Sequence, residues 1–208
     1  MTNDQAPMTK QIPNPKSQIP SRGAVDPANA LLSHYPRHRL DAESIRDTLL
    51  VLGGNLDRTP GEAHPFPPQK AWDFTQHKPF KAVYDTNRRS VYLMTQRIQR
   101  HPFLAIFDGP DTGASTASRT TSTTTLQALY FLNEEFVHQQ AGKLAGRIRE
   151  AKDSDAERID LAYSLLFARP ATDEEKSLGQ EHLKQLGDAG WESYLRVLLR
   201  TNEFVYLN

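Results

Sequence analysis

The residues that come nearest to a chemical constellation lie in and around "FDGPDTG". Asp108 and Asp111 are the best paired carboxylates in the chain, with His101, Ser115 and Arg119 close in sequence. Two carboxylates beside a histidine and an arginine could serve as acid and base, or hold a hard cation such as calcium. A full calcium loop supplies more ligands at regular spacing, which this stretch does not. The competing reading is a turn in which each aspartate accepts from amides of its own backbone, and it is the one the spacing favours.

The next stretch, "RTTSTTTLQALYFLNEEF", places five threonines and a serine before an apolar helical pattern. A hydroxyl can accept from the unpaired amides that open a helix. Thr123, Thr124 or Thr125 can do this for a helix starting near Leu126. The sharper alternative is an anion site, in which Thr123 and Thr124 join the helix amides beside Arg119. Arg88 and Arg89, with Arg97 and Arg100, could grip a sulfated or phosphorylated ligand. Equally, they could pair with acids on a solvated surface. Trp72, with Phe66, Phe74, Phe80 and Tyr84, could stack on sugar rings, or could anchor a long loop through buried apolar area. Of seven histidines, only His34 and His38 have a four-residue spacing, and Pro36 between them spoils the helix such a zinc pair needs.

The elements that must position these groups are mostly helical. Leu40, Ile45, Leu49, Leu52 and Leu56 form a helical stripe. Asp41 is its N-cap, Glu43 lies in its first turn, and Gly53 and Gly54 are its stop. "RSVYLMTQRI" alternates like a short strand, so a strand or hairpin is expected within 90–107. Leu126, Leu129, Tyr130 and Leu132 mark a short helix that Asn133 breaks. Phe136, Val137, Ala141, Leu144, Ala145 and Ile148 mark the next. Asp155 caps a third, carrying Ile159, Ala162, Tyr163 and Leu166. Thr172 and Glu175 form a capping box before Leu178, Leu183 and Leu186, and Gly187 ends that helix. Trp191, Leu195, Leu198 and Leu199 form the last. The expected class is mainly α: antiparallel helices with a short strand or hairpin and a long ordered aromatic loop. Residues 1–27 are expected to be a disordered or extended leader, and 28–208 one helical domain.

The chain has 208 residues, with 25 basic and 25 acidic side chains. Zero formal charge argues against nucleic-acid binding, which rests on excess positive charge. Mean hydropathy is −0.63, and no apolar run approaches the roughly 20 residues of a membrane helix. The first thirty residues lack the apolar core of a signal peptide. Cysteine is absent, which excludes disulfides, thiolate chemistry and covalent c-type haem attachment. The sequence calls for no cofactor.

Four ordered stretches carry a resemblance: "DPANALLSHYPRHRLDAESIRDTLL", "NRRSVYLMTQRIQRHPFLAIFDGPD", "TTTLQALYFLNEEFVHQQA" and "AYSLLFARPATDEE…NEFVYLN". Together they resemble the C-terminal domain of the planctomycete cytochrome-c-associated, PSD-type multidomain proteins, a domain of unknown function. The resemblance implies a largely helical module at the end of a large exported protein. It also implies an extracytoplasmic setting and partners among the other domains of that parent. The chain then looks like a detached C-terminal piece. The family usually has proline where Thr125 stands, and Asn-Asp-Pro-Phe where this chain has Asn133-Glu134-Glu135-Phe136, both consistent with helix starts. Many members carry cysteine at the position of Thr116. The resemblance assigns no catalytic residue. The preferred expectation is a non-catalytic interaction or scaffold module. The alternatives are a hydrolase or lyase acting on anionic polysaccharide through Asp108, Asp111, His101 and Arg119, or a glycan- or anion-binding module.

Overall fold

The computed structural model describes residues 26–35, 37–61, 70, 86–97 and 100–207. The chain divides into two units, Met1–Arg37 with Asn208, and His38–Leu207. Of the first, the described part is a pair of tight turns. The Asp26 carboxylate accepts from the amides of Ala30 and Leu31, both at 2.9 Å. Trp72 and the other aromatics of the expected long loop lie outside the described residues, as does nearly all of the expected leader.

The second unit is mainly α, as expected. It opens with β1 (His38–Arg39) and α1 (Ala42–Leu52), and continues through α2 (Pro102–Ile106), α3 (Thr125–Asn133) and α4 (Glu135–Ala151). Then follow α5 (Asp155–Phe167), α6 (Asp173–Leu186), α7 (Gly190–Leu199), α8 (Asn202–Val205) and β2 (Tyr206–Leu207). Helix α4 packs chiefly on α7 and also on α1 and α5, which makes it the central strut. Its residues Val137, Ala141, Leu144, Ala145 and Ile148 are all buried, at the i, i+4, i+7, i+8 and i+11 spacing of one helical face. They meet Trp191, Leu195, Leu198 and Leu199 of α7 and Ile45 and Leu49 of α1 within one core.

Local sequence explains most helix ends. Asp41 caps α1 by accepting from Ser44 N at 2.9 Å, and Gly54 takes the left-handed turn at φ 73°. Thr172 and Glu175 close the expected capping box on α6. Thr125 and Glu135 are the first residues of α3 and α4.

Two local expectations need correction. No described residue in 90–107 is a strand. Ser90–Tyr92 is one 3-10 turn and Pro102–Ile106 is helix. At the start of the stretch a side chain of α1 takes the amide that a sheet partner would need. Asp47 accepts from Ser90 N at 2.7 Å and Ser90 Oγ at 2.6 Å, while Arg46 donates to the carbonyls of Thr86 and Arg88. Second, the cap of α5 is Ser154, with Asp155 as the first helical residue. In α6, Leu183 is buried while Leu178 and Leu186 face solvent. The strands that do form pair the two ends of the unit antiparallel, His38 opposite Leu207 and Arg39 opposite Tyr206.

Candidate functional site

Helix α2 is one turn long and delivers Asp108 just past its end, at φ 61°. Asp108 is the hub of a buried polar network. Its carboxylate takes an ion pair from Arg39 at 2.7 Å and hydrogen bonds from Ser122 N at 2.8 Å and Ser122 Oγ at 2.7 Å. Arg39 also donates to Gln127 Oε1 at 3.1 Å, Phe107 O at 3.2 Å and Ser122 O. Gln127 in turn donates to Ile106 O at 2.9 Å. Burial works to raise the Asp108 pKa, but the Ser122 and Arg39 bonds outweigh it and hold it below the ordinary carboxylate value. These groups stitch β1, the end of α2 and the start of α3 together.

The threonine run is the approach to that stitch. Thr124 is the N-cap of α3, and Gln127 completes a capping box by accepting from Thr124 N at 3.2 Å. Thr123 Oγ1 lies 2.9 Å from the Tyr206 hydroxyl on β2.

The other sequence candidates scatter. Asp111 accepts from Gly113 N at 2.8 Å, a local Asx turn. Arg119 makes a two-pronged pair with Glu43, at 2.5 and 2.8 Å. Arg88 pairs with Asp57 at 3.5 Å and Arg89 with Asp47 at 3.8 Å. Among the described residues, no hydrogen bond or ion pair joins any two of Asp108, Asp111, His101 and Arg119, and no group of three or more His, Asp and Glu side chains could hold a metal ion.

His101 is different. It lines a cleft of about 550 Å³ between α1, α2, α3 and α4. The walls bring Arg46 from α1, Tyr130 from α3, Glu134 at the α3–α4 junction, and Phe136, Gln139, Gln140 and Lys143 from α4. Burial, with the nearby Arg46 charge, holds the His101 pKa below its ordinary value, so the ring is neutral at pH 7. Its Nδ1 is buried and lacks a hydrogen-bond partner. Burial pushes the Tyr130 hydroxyl well above its ordinary value, so it remains a phenol. Asn55 fits the cleft best with its amide donating to Gln140 Oε1 at 2.7 Å and accepting from Lys143 Nζ at 2.9 Å. The Arg46 guanidinium lies 5.9 Å from the centre of the Phe136 ring. Its described residues offer donors, acceptors and ring surface.

Sequence reasoning found His101 but missed Arg46, Tyr130, Glu134 and Lys143. A signal was present. Phe136, Gln140 and Lys143 follow at i, i+4 and i+7, and Gln140 falls inside the buried stripe of α4.

Helix α3 shows a second anomaly. Leu126, Leu129 and Leu132 are 57 %, 45 % and 41 % exposed, while Gln127 and Phe131 are buried. The inward face was decided by the Asp108 network, which takes Gln127, and by aromatics. Phe107 meets Tyr130 edge-on at 5.5 Å and Phe131 at 5.6 Å. The leucines are left outside.

The class these features define is a mainly helical domain with a polar structural hub, an unassigned cleft and an outward leucine stripe. The family model of PSD1, described as a protein of unknown function (DUF1553), matches residues 14–183, and the chain belongs to that family. No curated protein and no solved structure matches it. No helix among the described residues is long and apolar enough to cross a membrane.

Proposed function

We propose that this domain is a non-catalytic helical interaction module of an exported multidomain protein, on which other domains of the same parent dock. One observation carries the reading: α3 turns Leu126, Leu129 and Leu132 to solvent along one face. An exposed apolar stripe on a helix is the usual form of a docking surface for another apolar face. The docking partner is therefore an apolar surface of a parent domain, and the setting is extracytoplasmic, as the resemblance implies. The separate engagement of Asp108, Asp111 and Arg119 supports the same reading, because a hydrolase or lyase would need them in one cleft with His101.

The test is calorimetric titration of this domain with the remaining domains of a parent protein, expressed separately. The double variant Leu126→Glu, Leu129→Glu is expected to weaken binding at least tenfold with an unchanged melting temperature, since neither side chain is in the core. Equal binding by variant and wild type would overturn the docking surface.

A further inference from the structure

We propose that the cleft between α1, α2, α3 and α4 is a binding site for a saccharide ring, independent of the α3 docking face. Three observations converge on that ligand class. The first is composition. The walls set the rings of Tyr130 and Phe136 beside the amides of Gln139 and Gln140, with Glu134 and Lys143 at the edges. A sugar hydroxyl donates and accepts at once. Side-chain amides, a carboxylate, an ammonium and the Tyr130 phenol supply both roles, and the Phe136 ring covers a C–H face of a pyranose.

The second observation is the unmet polar atom in that wall. His101 Nδ1 is buried without a partner, and most buried polar atoms in folded proteins have one. A turn of the ring that brings this nitrogen to the cleft lets a guest hydroxyl, which both donates and accepts, satisfy it in either tautomer. The third is size and charge. About 550 Å³ falls within the roughly 300–1,000 Å³ of small-molecule sites. Arg46 and Lys143 against Glu134 leave the wall one positive charge in excess. Arg46 already donates to Thr86 O, Arg88 O and Ser90 Oγ, whereas Lys143 spends one of its three donors on the Asn55 amide oxygen and keeps the others for a guest. A ring carrying a carboxylate is therefore expected to bind more tightly than the neutral ring of the same shape.

The test uses the whole chain and four probes: glucose, galactose, N-acetylglucosamine and glucuronate. Saturation-transfer NMR identifies binders and calorimetry measures them. The expected result is binding of at least one probe, with glucuronate tighter than glucose. Lys143→Ala is expected to erase the preference for glucuronate, and Tyr130→Phe to weaken every binder several-fold. Both variants are checked for an unchanged far-ultraviolet spectrum and melting temperature. If Tyr130→Phe lowers stability, Gln139→Ala on the surface of α4 takes its place. Absence of transfer to all four probes overturns the proposal, as does binding that neither variant alters. Loss of domain docking on changing the α3 leucines leaves this result untouched, so the two readings fail separately.

Discussion

Asp108 reads in sequence as a turn aspartate with acid–base work as the alternative, and in the fold it binds Arg39 and Ser122. An ion pair inside a protein is costly to break from one side, because the surviving charge is left buried and uncompensated. Asp108→Ala is therefore expected to lose roughly 3 kcal/mol of stability in urea unfolding at pH 7. The pH dependence has a definite sign. The folded Asp108 pKa lies below its ordinary 3.8, so its contribution is complete above about pH 4 and is lost as pH falls through the folded value. The gap between wild type and Asp108→Asn should narrow below pH 4. His101 acts in a higher window. Its folded pKa lies below 6.5, so protonation favours the unfolded chain, and stability should decline as pH falls below about 6.5. His101→Gln should flatten that part of the urea-midpoint profile while leaving the acid limb in place.

Helices reveal how much the sequence could say. The Thr172–Glu175 capping box is written in adjacent letters, because both partners lie within one turn, and the structure contains it as read. Thr172→Ala should cost about 1 kcal/mol in thermal unfolding, the usual worth of an N-cap. A nearby ion-pair cluster supports the same helix start. Arg169 holds Glu175 at 2.8 Å and Glu203 at 2.6 Å, and that arginine pulls Glu175 down to about 2. Both ends are about a third exposed, so Arg169→Ala should cost only ~1 kcal/mol, and less in high salt. Where partners are distant in sequence, the reading failed. The strand expected in 90–107 is absent, and at its start the Ser90 amide goes to Asp47, some forty residues upstream, while Arg46 holds the carbonyls of Thr86 and Arg88 just before it. The leucines of α3 obeyed helical spacing but were outbid for the inward face by Gln127, whose partners Arg39 and Asp108 no local window contains. The cleft was illegible for the same reason: its walls come from positions 46, 101, 130 and 143.

On the scale of the molecule, α4 joins the two halves of the account. One face carries the core against α7 and α1, and the adjacent face forms the floor of the cleft. Leu144 and Ile148 are fully buried. Ile148→Ala should cost roughly 2–5 kcal/mol in urea unfolding, in line with other large-to-small core changes. Leu129→Ser on α3 should change stability by less than about 0.5 kcal/mol. That contrast separates the leucines that build this domain from those that remain outside it. Arg39 ties the closing strand pair to the Asp108 hub beside the start of α3. The most direct measurement is hydroxyl-radical footprinting of Leu126, Leu129 and Leu132, compared between the isolated domain and the intact parent protein. The account predicts rapid oxidation of all three in the isolated domain and strong protection in the parent. Equal oxidation in both would contradict it.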